Sequence, residues 1–181
     1  MLLDTPICDF GWKAPDFTLK DPDGTPFTMS QHLGEKGLLV MFICNHCPYV
    51  QAIAERLSAD TRTLMSEGIN VVAVMSNDYR LVPADSPANM KRFAMQHGFA
   101  FPYLVDEDQA VGRAFGAVCT PDFFGLNKRG ELQYRGRLDD ARMGDSSKRQ
   151  PELLIAMRQI AQTGNGPREQ VASMGCSIKW R

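Results

Sequence analysis

No excess of charge of either sign marks this chain: 20 lysines and arginines face 21 aspartates and glutamates across 181 residues. Without a basic field to track a phosphate backbone, no nucleic-acid partner is expected. Long apolar runs are missing as well. The longest, Leu38 to Cys44, falls far short of the ~20 residues that a membrane-spanning helix needs, so no membrane partner is expected either. The opening MLLDTPICDFGWKAPDF has no basic start leading into an apolar stretch; no signal peptide is read, and a cytoplasmic address follows by default. There is no phosphate-cradling glycine loop, no serine-nucleophile elbow, no internal repeat and no linker dividing the chain. Cysteine is sparse: five, an odd number spread over a mid-sized chain, which is unlike a secreted disulfide scaffold and leaves at least one thiol free.

What is present is a punctuated alternation of strands and helices. Proline at a first turn and glycine just past the end bracket the helical segments. Pro48 to Gly68 carries Val50, Ile53, Ala54, Leu57, Leu64 and Met65 at helical spacing. Pro87 to Gly98, Ala110 to Gly116 and Pro151 to Gly164 repeat the pattern. Between them lie β-prone runs at Leu38–Ile43, Val71–Met75, Tyr103–Val105, Phe123–Leu126 and Leu132–Arg135. This order predicts an α/β domain over residues 1–181, a central mixed β-sheet flanked by helices. Asp23-Gly24 marks an N-terminal hairpin. The tail, residues 163–181, with Gly164, Asn165, Gly166 and Pro167, reads as loop.

The chemistry concentrates in FICNHCPYV, Phe42 to Val50. A strand ends near Ile43 and Pro48 opens a helix, which puts Cys47 at the N-cap, where unpaired N–H groups and the helix dipole favour a thiolate. Cys47 is therefore the candidate nucleophile. Cys44, three residues upstream, is near enough to exchange between dithiol and disulfide with it. His46 either tunes the thiolate as an imidazolium or is a solvent-facing loop residue. A four-ligand zinc site lacks its second ligand pair, and no metal or organic cofactor is expected. Cys44, His46 and Cys47 nonetheless form a set that a soft ion such as Cu(I) accepts, which leaves a non-catalytic Cu(I)-binding module as an alternative.

The chain is also similar to the thioredoxin superfamily, and within it to the peroxiredoxin-like branch that carries a C-x-x-C. The resemblance runs through LLVMFICNHCPYV, VVAVMSND, FPYLVDEDQAVGRAFGAVCTPDFF and RGELQYRGRLDD, and Gly175 to Trp180 (GCSIKW) resembles a C-terminal signature of that branch. It implies a thioredoxin-like fold, with Thr120-Pro121 as the cis-proline loop that faces the active cysteine and offers its backbone to an extended substrate chain. Cys119, next to that loop, is either a buried small hydrophobe or a third redox cysteine; Cys176 is either a distant resolving thiol or unlinked, and Cys8 an incidental thiol. Two departures stand out. Where peroxiredoxins carry P-x-x-x-(T/S)-x-x-C, this chain has Val40 and Cys44 at the proline and threonine positions, and their arginine falls near Pro121. Thioredoxin's buried aspartate position holds Met41. The resemblance implies a thiol–disulfide oxidoreductase, a reductase of protein or small-molecule disulfides supplied by a thiol-based electron donor. The alternative is a thiol peroxidase using Cys47.

Overall fold

Two strands that are apolar on both faces set the centre of the molecule in the computed structural model, which describes residues 1–181. Along β4 (Leu38–Phe42), Leu39 and Met41 enter one core cluster while Leu38, Val40 and Phe42 enter the other; β5 (Asn70–Met75) divides Val71, Ala73 and Met75 from Val72 and Val74 in the same way. Such two-sided burial belongs to parallel strands covered by helices on both faces. β4 and β5 are parallel, as are β5 and β6 (Tyr103–Val105). Antiparallel partners extend the sheet on one side through β2 (Thr18–Lys20) and β3 (Pro26–Thr28), and on the other through β8 (Asp122–Leu126) and β9 (Leu132–Tyr134), giving the order β3-β2-β6-β5-β4-β8-β9.

Helices α1 (Pro48–Ser66), α2 (Pro87–His97) and α4 (Glu152–Thr163) bury their apolar stripes on one face. The short α3 (Ala110–Phe115) covers the other, where Phe17, Phe42, Phe115 and Phe124 pack edge to face. The proline and glycine punctuation places the helix ends as expected. Pro151 differs by one step, serving as the N-cap of α4. The N-terminal hairpin forms at its predicted turn: the Asp21 carboxylate accepts the N–H groups of Asp23 and Thr25 at 2.9 Å each, and Gly24 takes a φ of +86° that side chains resist.

The tail departs from expectation. Inside the segment read as loop lies β10 (Met174–Ser177), the middle strand of a second, three-stranded sheet in the order β1-β10-β7, with β1 (Leu2–Asp4) and β7 (Cys119–Thr120). Its sequence, Met-Gly-Cys-Ser, shows no apolar–polar alternation, so its strand character comes from partners remote in sequence. Beyond β10 the chain is pinned again: the Lys179 N–H donates to Asn77 Oδ1 at 2.8 Å, and the Arg113 guanidinium lies 4.4 Å over the Trp180 ring. No helix is long and apolar enough to cross a membrane.

Candidate active site

The C-x-x-C loop bridges the end of β4 and the start of α1. Cys47 is the N-cap, and its carbonyl accepts the N–H groups of Val50 and Gln51 at 3.0 and 2.9 Å. The loop is tied down by a buried carboxylate that sequence reading missed. Asp85, fully buried in the turn before α2, accepts the Asn45 N–H at 2.8 Å and the His46 N–H at 3.2 Å on Oδ1. Its Oδ2 lies 2.6 Å from His46 Nδ1 and accepts from Asn77 Nδ2 at 2.9 Å. Asn45 is held further by Tyr103, whose hydroxyl donates to its side-chain carbonyl at 2.9 Å, and by Gln51 Nε2, which donates to its backbone carbonyl. No sequence signal marks Asp85, because the loop residues it holds, Asn45 and His46, lie 40 and 39 residues upstream.

Thr120 touches both sulfurs of the pair. Its hydroxyl is 3.4 Å from Cys44 Sγ, and its carbonyl oxygen is 3.3 Å from Cys47 Sγ. The Thr120-Pro121 peptide is cis, as the resemblance implies. The two cysteines are unbonded and within hydrogen-bonding reach of each other. Their environments drive them apart. A hydrogen bond from the Cys44 thiol holds Cys47 down to about 4; burial opposes this, while Thr120 and the backbone N–H groups of Cys176 and Val50 reinforce it. Cys44 is pushed far up, first by that same hydrogen bond, then by burial and the Asp85 carboxylate. Cys47 is thus the acidic member and Cys44 the proton holder.

His46 sits elsewhere than expected. Its Nδ1 is 3.6 Å from Cys44 Sγ and is engaged by Asp85, so its neighbour is Cys44. Cys119 is fully buried, its thiol raised by burial and by Asp122, and its Sγ faces the Pro121 carbonyl at 3.7 Å; this is the environment of a small core side chain. The larger correction concerns the cis-proline edge. Thr120 does not present a free backbone to an incoming chain, because β7 is already paired with β10, with Thr120 opposite Cys176 and Cys119 opposite Ser177.

The donor atoms that converge are those of Cys44, His46 and Asp85, all within 4.8 Å, whereas the Cu(I) reading grouped Cys47 with Cys44 and His46. Asp85 already accepts four hydrogen bonds, and a carboxylate is a hard partner for a soft ion. The cluster is built to hold the loop. On the His46 side the loop borders an open polar cleft lined by Gln51, Asn89, Arg92, Gln96 and His97. Beyond Pro121 lies an apolar depression formed by Tyr49, Ile53, Phe123, Leu138 and Met174.

Comparison with known proteins places this geometry. The crystal structure of an uncharacterized conserved protein from Geobacillus kaustophilus matches 100% of this chain and 97% of its own, at a TM-score of 0.92 and 37% identity. Thiol-disulfide oxidoreductase ResA of Geobacillus thermodenitrificans is 25% identical over 123 residues, 68% of this chain and 66% of that protein. The chloroplastic peroxiredoxin Q of Triticum aestivum is 26% identical over 133 residues, 68% of this chain and 57% of its own length. The model of the AhpC/TSA family matches residues 10–135, from before β2 to the end of β9 and across both loop cysteines. On that match the chain belongs to the AhpC/TSA family and carries its cysteine pair on a thioredoxin-like fold.

Proposed function

We propose that this protein is a thiol–disulfide oxidoreductase acting as a disulfide reductase through Cys47 and Cys44. The observation that carries the reading is the contact of Thr120 with both sulfurs, at 3.3 and 3.4 Å, in a pair where the Cys44 thiol holds Cys47 down as the thiolate. The Cys47 thiolate attacks one sulfur of a protein or small-molecule disulfide and expels the other as a thiolate, leaving a mixed disulfide. Cys44 loses its proton to that leaving thiolate and attacks Cys47 Sγ, releasing the second substrate thiol and closing Cys44–Cys47. A thiol-based donor restores the dithiol. His46, with its ring fixed by Asp85 and its Nδ1 3.6 Å from Cys44 Sγ, is the candidate to ease that deprotonation. A reducing, cytoplasmic setting is part of the same proposal, since the cycle starts from free thiols.

The test compares reduction of oxidised glutathione by the wild type, by Cys47→Ser, and by a Cys44→Ser variant in which Cys119 and Cys176 are also serine. Cys47→Ser should lose all adduct formation. The triple variant should stop at a mixed disulfide on Cys47, visible by mass spectrometry. Wild-type turnover by the triple variant would remove Cys44 from the mechanism. Thiol peroxidase action through Cys47 is the second reading, favoured by the membership of the AhpC/TSA family and the likeness to peroxiredoxin Q.

A further inference from the structure

The two sulfurs of the active pair are closed off from solvent: Cys47 is 0% exposed and Cys44 1%. Over Cys47 runs the chain's own C-terminal strand. β10 runs antiparallel to β7 with Cys176 opposite Thr120, the residue whose carbonyl oxygen is 3.3 Å from Cys47 Sγ. The Cys176 N–H helps to hold the Cys47 thiol down, and Cys47 in turn adds to burial in raising the Cys176 thiol. Cys176 is half-buried and is the one cysteine of this trio with exposed surface. The approach is close because position 175 is glycine: a Cβ there would collide with the Thr120 carbonyl oxygen. The strand is clamped at both ends, by Ser173 Oγ donating to the Pro121 carbonyl at 2.7 Å and by the Ile178 N–H donating to Val118 at 3.2 Å.

We propose that β10 is a built-in substrate strand and that Cys176 is a third redox cysteine, exchanging disulfides with Cys47 and linking the covered pair to the outside. The inference rests on the cysteine-pair reading above and adds a partner to it. In the relay, the Cys176 thiolate attacks Cys47 Sγ in the Cys44–Cys47 disulfide; the S–S bond to Cys44 breaks, and Cys44 leaves as a thiolate that takes up the proton Cys176 lost. No electrons are gained or lost in this step. One thiolate of an external dithiol then attacks Cys176 Sγ and expels the Cys47 thiolate, leaving a donor–Cys176 mixed disulfide; the donor's second thiol attacks its own bound sulfur and releases Cys176, so the donor leaves as a disulfide and the protein regains three thiols. Cys47 suits that leaving role because the thiol of lower pKa departs faster. Burial raises the Cys176 thiol, which makes it the stronger base and the better intramolecular attacker once deprotonated.

The experiment oxidises wild type, Cys44→Ser and Cys44→Ser/Cys176→Ser with oxidised glutathione and maps disulfides by mass spectrometry without reduction. The expected result is a Cys47–Cys176 disulfide in Cys44→Ser, replaced by a stable glutathione adduct on Cys47 when Cys176 is also serine. A Cys44→Ser protein that keeps glutathione on Cys47 with Cys176 free, or links Cys47 to Cys119 instead, overturns the relay while leaving the dithiol reading intact. A wild type in which Cys47 forms neither a disulfide nor an adduct overturns both. A second measurement follows reduction of the oxidised protein by dithiothreitol: Cys176→Ser should slow it severalfold, and an unchanged rate counts against the relay. Gly175→Ala, which pushes β10 off Thr120, should raise the iodoacetamide reactivity of reduced Cys47 severalfold, and no change would show that β10 is not the cover.

Discussion

Asp85 holds His46 from two directions, accepting its backbone N–H on Oδ1 at 3.2 Å and lying 2.6 Å from its ring on Oδ2. The same carboxylate takes Asn45 and Asn77, so Asp85→Ala leaves buried donors without partners. Losing several such bonds costs about 3 kcal/mol. Urea unfolding should register that loss, together with a changed rate of Cys44–Cys47 closure. An unchanged midpoint would mean the loop is fixed by Tyr103 and Gln51 alone.

Reactivity at Cys47 should be nearly independent of pH through the neutral range. With its thiol held down to about 4, iodoacetamide labelling of the reduced protein should be flat from pH 6 to 8 and fall only on further acidification. An ordinary thiol would instead gain about tenfold per pH unit there. Between the folded value of about 4 and the ordinary thiol value of 9.0, the unfolded chain keeps a proton that the folded chain has lost. Stability therefore rises with pH across that window. Cys47→Ser should remove this contribution, and faster labelling of Cys44 than of Cys47 would reverse the roles of the pair.

Hydrogen peroxide should be a poor substrate. Val40 and Cys44 stand where peroxiredoxins place a proline and a threonine, and the position of their arginine falls near Pro121, so nothing orients the peroxide oxygens. Stopped-flow oxidation of Cys47 should proceed at the rate of an ordinary low-pKa thiolate. A rate several orders of magnitude higher would promote the peroxidase reading over the reductase.

Arg135 pairs with the fully buried Asp122, at 2.9 and 3.2 Å, while its guanidinium lies 4.4 Å over the Phe124 ring. Arg135→Leu strands that carboxylate and should cost about 3–5 kcal/mol in guanidinium unfolding. Replacing Asp122 by leucine as well should recover part of the loss; a double variant no better than the single would show that the stacking on Phe124 dominates.

The helices and the central strands were legible because their signals are local. Pro48 and Pro87 start helices, Gly98 and Gly164 end them, and β4 is apolar at every position. The position of Cys47 at a helix start followed from Pro48 alone. What escaped depends on residues far apart in sequence. β7 is two residues long, and β10 (Met-Gly-Cys-Ser) has no alternation to read; β7 is a strand only because β10 is there, and β10 only because β1 and β7 flank it. Asp85 looks like any acidic residue in a turn, and only the fold shows that the His46 ring approaches Cys44 Sγ.

The pairing of Leu2 with Cys176 joins the two ends of the chain across the active pair. Contacts between residues so far apart in sequence carry a large loop-closure cost and are slow to form. The strands and helix that frame Cys44 and Cys47 lie between Leu38 and Leu126, while β1 and β7 are joined only through residues 174–177. The covering of Cys47 is therefore among the most non-local contacts of the fold, and a state that has lost this contact alone carries the Cys47 sulfur open to any passing disulfide.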